Sequence, residues 1–248
     1  MHGAQQLSDF RVSRDFLAGR RRDALDREEL AYLESIIGEP RLLLDGQTLI
    51  RRGEQAHRST ILVDGFLLRA IVREGKRFIV GVHVPGDFVD LHGFVLKRLD
   101  HDIVAVGKAY VAQVEHDSLS EVMRDRPGIA KMLWFATLLD AAIHRQWIRN
   151  LEALDAPQRI AHLYAELHHR FTLIGRNVSR ALRTPFTQSD LADMCGVSAI
   201  HANRAVARLR ELGLAEIRRG DLYTSDWKAL EAYAGFDPAY LYGDQMSR

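Results

Sequence analysis

Residues 186–210, FTQSDLADMCGVSAIHANRAVARLR, read as two short helices joined by a tight turn, an arrangement that holds one face of the second helix outward. Thr187 is placed to cap the first helix, with Asp190 three residues on as the acid of a capping box. Leu191, Ala192, Met194 and Cys195 supply its apolar face. Gly196 breaks the run, Ser198 offers a second N-cap, and a second helix follows from Ala199 to about Glu211, ended by Gly213. There Val206 and Leu209, with Ala202 and Ala205, point toward the first helix, leaving His201, Asn203, Arg204 and Arg208 outside. Residues 214–224 then alternate like a short hairpin about Gly220-Asp221, with Arg218 and Arg219 beside the turn. Any helical hairpin shows such apolar spacing; the order helix, turn, helix, wing is what points to a reader of duplex DNA.

The 248-residue chain is long enough for two domains. Its formal net charge of +1 says little globally, but residues 204–219 hold five arginines (204, 208, 210, 218 and 219) against two glutamates. The positive surplus sits where the proposed reader is. One cysteine, Cys195, excludes an intrachain disulfide and a four-cysteine iron–sulfur cluster within one chain, and its setting is that of a small buried hydrophobe. The first 22 residues have no apolar stretch of the signal-peptide kind, and no run is of membrane-spanning length, so a cytoplasmic protein without membrane contact is expected.

Residues 1–25 are polar and charged, and Arg20-Arg21-Arg22 reads as part of a solvated leader. An amphipathic helix over 27–37 follows, with Leu30, Leu33, Ile36 and Ile37 on one face. From 41 to about 117 the period changes to two. Segments 59–63, 66–72, 77–84, 103–106 and 110–114 are strand-length and rich in branched residues, separated by turn formers at 53–54, 64–65, 74–75 and 85–87. Many short strands argue for an antiparallel barrel or jelly roll, which could serve an enzyme or a sensor. As a metal-binding cupin it would need converging ligands. His57, His83, His92, His101 and His116 form no tight ligand pair in sequence and read as ordinary surface or satisfied core residues.

Pro127 starts a helix of about 26 residues, roughly 39 Å long. Its apolar positions recur every three or four residues, and Met132, Leu133, Ala136, Leu139, Ile143 and Trp147 are expected to form a seam with a second copy of the chain. The doubled steps Leu133-Trp134-Phe135 and Leu138-Leu139 give more apolar surface than one seam needs, so another face should pack on the chain's own strands. A further helix over 159–173 buries Ile160, Leu163, Tyr164 and Leu167 and is expected to leave His168 and His169 to solvent.

The strings TQSDLAD at 187–193, GVS at 196–198, HANRAVARLRELGL at 201–214 and the closing GFDPAYL at 235–241 resemble the Crp/Fnr family of bacterial transcription regulators. The resemblance covers nearly the whole chain. It implies an α+β fold: an N-terminal antiparallel β-roll of the jelly-roll, cyclic-nucleotide-binding-like kind (1–126), a long dimerisation helix (127–156) and a C-terminal winged helix-turn-helix (157–248). It implies a non-enzymatic homodimer that binds double-stranded DNA at an inverted repeat and contacts RNA polymerase. Arg204 is the expected guanine contact, with His201 and Asn203 reaching bases or backbone. Thr187, Gln188, Ser198 and Ala199 lie at helix starts, and Arg208, Arg218 and Arg219 are the next cations for phosphates. Where the family carries a base-reading glutamate, this chain has Ile200.

The same resemblance sets a test for the β-roll. The family's phosphate cassette supplies a carboxylate for ribose and an Arg-Ser pair for phosphate; the matching positions here are Val89-Asp90-Leu91 and His101-Asp102. His101 lacks a guanidinium's bidentate contact and Asp102 adds a repelling carboxylate, which argues against cyclic AMP. No cofactor is identified, and any effector is a different small molecule. The competing readings are a metal-binding cupin-like enzyme or a ligand-binding adaptor without DNA affinity.

Overall fold

The computed structural model describes residues 10–176 and 178–243. Five strands, β1 (Arg41–Leu43), β2 (Thr48–Ile50), β3 (Arg58–Arg73), β4 (Lys76–His83) and β5 (Asp102–Glu115), form one antiparallel sheet in the order β1-β5-β3-β4, with β2 also on β5. The sheet rolls up around Leu43, Leu62, Leu67, Val89, Ile103 and Val111. The expected turn at Asp64-Gly65 is absent: segments 59–63 and 66–72 are one strand, as are 103–106 and 110–114. The β3–β5 register instead shifts on both sides of Asp64. Gly65, at φ 87°, takes the bulge, and a Cβ there would lie 2.3 Å from the Lys108 carbonyl oxygen. A glycine beside an aspartate serves a turn or a bulge equally well, and pairing with β5 decides for the bulge.

Helix α1 (Arg27–Ile36) is capped by an Asp26–Glu29 box and buries Leu30 and Leu33. Before it, the expected solvated leader is largely packed. Residues 1–9 of that leader lie outside the described residues. From residue 10 on, Phe10, Phe16, Leu17 and Leu25 are buried, with Phe16 edge-on to Phe88 at 5.4 Å. Arg20 and Arg22 are buried too: Arg22 donates to the Ser13 and Phe16 carbonyls and Arg20 to that of Leu241. The apolar residues here follow no helical or strand period, so periodicity alone cannot find them.

A short helix α2 (His92–Leu96) follows the turn after β4, and α3 (His116–Asp125) follows β5. The long helix α4 (Pro127–Ala153) starts with proline at its first turn and runs 27 residues, about 40 Å. It buries Ile129, Met132, Leu133, Leu139 and Ala142 within its own chain. Met132 and Leu133 pack with Phe16, Leu33 and Ile61. Four of the six expected seam residues are thus spent inside the protomer: Met132, Leu133 and Leu139 are buried, and Ala136 packs on the same cluster. Ile143 lines a small cavity against β4, and Trp147 donates to Glu166 at 3.1 Å. The face left most open is Trp134, Leu138, Arg145 and Ile148, with half-buried Ala141 in the same stripe, the five spaced four, three, four and three residues apart.

Helix α5 (Ala156–Leu173), boxed by Asp155 and Gln158, joins the two halves. Ile160, Tyr164, Leu167 and Phe171 share one core with Phe66, Ile79 and Val82 of the roll and with Phe186 and Leu209 beyond. Phe66 sits 5.6 Å from Phe171 and 5.2 Å from Phe186. His168 and His169 are not solvated as expected: His168 stacks on Trp227 at 3.8 Å and His169 meets Phe236. Both rings cover the closing segment, whose position no local pattern reveals. The last part comprises β6 (Ala181–Leu182), α6 (Gln188–Cys195), α7 (Ala199–Glu211), β7 (Glu216–Arg218), β8 (Asp221–Tyr223) and α8 (Trp227–Ala234), with the strands ordered β6-β8-β7. Among the described residues no helix is long and apolar enough to cross a membrane.

Candidate DNA interface and the interior of the roll

Thr187 caps α6 as its sequence suggests, its hydroxyl accepting from the Asp190 amide while Asp190 accepts from the Thr187 amide at 2.8 Å. The same hydroxyl donates to Asp190 at 2.7 Å, so its proton is not free for a phosphate. Gln188 remains exposed at this helix start. Gly196 ends α6 in the left-handed region, and Ser198 caps α7, accepting from the His201 amide and bonding the His201 ring at 2.7 Å. Cys195 is buried, and burial pushes its thiol up to about 12, which makes it inert.

On α7, Ala202, Ala205 and Leu209 are buried while Ala199, Ile200, His201, Asn203, Arg204 and Arg208 are exposed. Two alanines on the inner face let α7 approach α5 closely and push its longer side chains outward. Neither Asn203 nor Arg204 has a side-chain partner among the described residues. Arg208 makes a 3.5 Å surface pair with Glu211. The wing turn falls one residue earlier than expected: Arg219 (φ 52°) and Gly220 (φ 89°) are its centre, the two positive φ values that a tight hairpin needs. The Gly220 carbonyl accepts from Tyr164 at 2.6 Å and Thr184 at 2.7 Å, which ties the wing to α5. Arg218 and Arg219 are exposed on that wing, Arg218 pairing with Glu216 at 2.7 Å. Helices α6 and α7 and the wing enclose a groove of about 370 Å³ that Gln188 and Arg219 line.

Inside the roll the expected effector residues have other work. Asp90 is buried and accepts from the Thr60 amide at 2.5 Å; burial raises its carboxyl to about 7. This bond ties the segment to β3. The Val89 carbonyl accepts from Arg69, whose other guanidinium nitrogen donates to Asp140 and meets His144, each at 3.0 Å. Arg69 therefore ties β3, the segment holding Val89 and the long helix together. Leu91 lies between them and is half-buried. Asp102 pairs with Ala70 in the sheet and its carboxylate accepts from the Arg52 amide at 2.7 Å at the surface, so the repulsion expected from it does not act inside the roll.

Of the histidines read as surface or satisfied core residues, His57 is exposed, His83, His101 and His116 are buried and His92 is half-buried, and the buried Nε2 atoms of His83, His92 and His101 have no hydrogen-bond partner among the described residues. His92 and His101 lie 5.3 Å apart, ring to ring, and burial followed by the Arg69 charge holds both at about 4. His101 bonds Asp100 at 2.6 Å. Among the described residues no three His, Cys, Asp or Glu side chains are placed to hold a metal ion. The sequence missed a second buried hub. Arg170 donates to the Val82 carbonyl at 2.9 Å and to Asp87, and Glu166 accepts from Trp147 and Tyr240. Burial would raise Asp87, but Arg170 and His83 outweigh it and hold it at about 2. A charged residue on the inner face of α5 was the available signal for this hub.

Two family models divide the chain: a cyclic nucleotide-binding domain over residues 40–126 and a Crp-like helix-turn-helix domain over 158–233. The transcriptional activator protein FnrL of Cereibacter sphaeroides is 29% identical over 219 residues, 86% of each chain. The fumarate and nitrate reduction regulatory protein of Yersinia pestis is 23% identical over 215 residues, 85% of this chain and 84% of that one. Among solved structures, FixK2 from Bradyrhizobium japonicum superposes with a TM-score of 0.68 at 17% identity, covering 79% of this chain and 96% of its own. Taken with the capped helix pair, the wing and the roll, these likenesses identify the chain as a member of the Crp/Fnr family of transcription regulators.

Proposed function

We propose that the chain acts as a homodimer on an inverted-repeat operator, with α7 of each copy in successive major grooves about one helical turn apart. The supporting observation is that Asn203 and Arg204 stand exposed and unpaired on α7, opposite a face sealed by Ala202, Ala205 and Leu209. In this reading Arg204 bonds guanine O6 and N7, Asn203 and His201 meet neighbouring edges or phosphates, and Gln188, Ser198, Arg208, Arg218 and Arg219 hold the backbone. Ile200, 65% exposed, meets the groove as an apolar residue and suits a thymine methyl.

The division proposed is a sensor-like roll to residue 126, a dimerisation helix to 156 and a DNA-binding domain beyond, with RNA polymerase as the further partner. The dimer is held by the solvent-facing α4 stripe from Trp134 to Ile148. A small effector other than cyclic AMP is the modulator proposed for the roll. Replacing Arg204 by Ala should weaken binding to an inverted-repeat probe by about 1–3 kcal/mol per half-site and relax base preference at one position. A gel-shift series in which affinity and preference both match the unaltered protein would refute the assigned register. Binding to duplex DNA that does not fall with rising salt would remove the regulator reading as a whole.

A further inference from the structure

In the first turns of α7 the exposed side chains are Ala199, Ile200, His201, Asn203 and Arg204. Of these, His201 is held in place: the Ser198 hydroxyl lies 2.7 Å from its Nδ1. The same oxygen accepts from the His201 main-chain N–H at 3.3 Å as the cap of the helix. The residue is thus anchored at its backbone and at Nδ1, and Nε2 is the nitrogen left for a partner outside the chain.

Two physical reasons place the ring proton on Nε2. Ser198 has a single hydroxyl proton, and its oxygen already takes the amide N–H. Donation of that proton to Nδ1 satisfies both groups, whereas a proton on Nδ1 would crowd two N–H groups onto one oxygen. The helix adds the second reason. Helix α7 runs thirteen residues, and its start is the positive pole of the aligned peptide dipoles, which favours a lone pair over an N–H on the nitrogen that faces it. Nε2–H is then an outward donor. Beside it Arg204 offers donors only and Ile200 no polar atom, so Asn203 alone of this set can accept. The one carboxylate of α7, Glu211, lies at the far end beside Arg208.

We propose that Ser198 and His201 form one reading unit, in which the hydroxyl holds the imidazole so that Nε2–H meets an acceptor in the major groove, O6 or N7 of guanine or O4 of thymine. This rests on the reading of α7 as the groove helix and adds the chemical class of base at a second position. Cytosine presents an amino donor at that edge and adenine sets one beside its N7, so both are disfavoured under His201. Residues three apart on a helix are neighbours, about 5–6 Å between Cβ atoms, against about 3.4 Å per base step. The base read by His201 therefore lies one or two steps from the guanine under Arg204. Ser198 keeps its main chain for the duplex backbone.

The test is selection by the full chain from duplexes with both half-sites randomised, followed by binding titrations on the selected site. The unaltered protein is compared with Ser198→Gly, His201→Ala and Arg204→Ala. Glycine serves nearly as well as serine at a helix start, so Ser198→Gly frees the ring while keeping α7, and circular dichroism checks the fold. The unaltered chain should select guanine or thymine at one position that His201→Ala erases, with binding weakened about fivefold per half-site, as for one hydrogen bond. Ser198→Gly should flatten that position and no other. Selection of cytosine or adenine there would make Nε2 an acceptor and overturn the proposal. So would a His201→Ala profile matching the unaltered one, or a Ser198→Gly loss spread evenly over all positions, which a cap alone would give. Arg204→Ala should flatten a different position; if it changes nothing, or the unaltered chain enriches no sequence, the groove reading of α7 itself falls.

Discussion

At Gly220 the wing, the segment after β6 and α5 meet within hydrogen-bonding distance. Its carbonyl serves two side chains, and a Cβ would lie 2.3 Å from the Phe186 carbonyl oxygen and 2.7 Å from that of Thr184. Those atoms are backbone and cannot swing aside. Gly220→Ala should therefore destabilise the protein by about 2–4 kcal/mol and displace Arg218 and Arg219 from their positions. Thermal unfolding measures the first effect and DNA affinity the second; a variant that melts with the parent would mean that the turn is built differently. Arg204, in contrast, has no side-chain hydrogen bond or ion pair among the described residues, so its removal should leave the melting temperature unchanged while DNA binding drops. That pair of outcomes separates a residue that builds the reader from one that reads.

Helix α4 carries two apolar faces with different duties. Leu139 is 6% exposed and packs within its own chain, whereas the adjacent Leu138 is 51% exposed. One residue of difference turns a side chain by about 100°, enough to move it from core to solvent. Leu139→Ala should cost about 2–5 kcal/mol of stability with little change in dimer affinity, and Leu138→Glu should do the reverse. Chemical denaturation and ultracentrifugation on the two variants check this directly. Equal effects in both assays would show that the faces are not divided.

Across the whole molecule the reader is fastened to the roll. Arg77 of β4 donates to Asp190 at 2.6 Å and Asp193 at 2.8 Å on α6, while Tyr240 reaches back to Glu166 and Arg20 to the Leu241 carbonyl. Arg77→Ala should loosen α6 from β4, seen as faster amide exchange in both elements; unchanged exchange would mean that the apolar contacts alone hold them. Acid should weaken the same assembly. His92, His101 and His162 are each held at about 4, by burial first, so they stay neutral in the fold while the unfolded chain takes up protons near pH 6.5. Their contribution is complete above about pH 6.5 and drains away as pH falls toward 4. Asp90, raised to about 7 by burial, works the other way: it stabilises below its unfolded value near 4 and loses this as pH rises through 7. Burial also lowers His83, His116, His168 and His169 and raises Glu166 and Glu231, so the lowered histidines outnumber the raised carboxyls and the melting temperature should be lower at pH 5 than at pH 7.

The helix pair, its caps at Thr187 and Ser198 and the outward Asn203 and Arg204 were legible in the chain because they depend on local spacing and on hydrogen bonds spanning three residues. The strand-rich half and the long helix were legible through their periods. Other features were decided only by tertiary packing. Segment 10–25 closes over Phe88, Gly65 makes a bulge in place of a turn, Asp90 and Arg69 are spent on internal bonds, and α4 turns Met132 and Leu133 inward. Each is settled by partners tens of residues away, because apolar spacing tells which residues share a face but not what that face will meet.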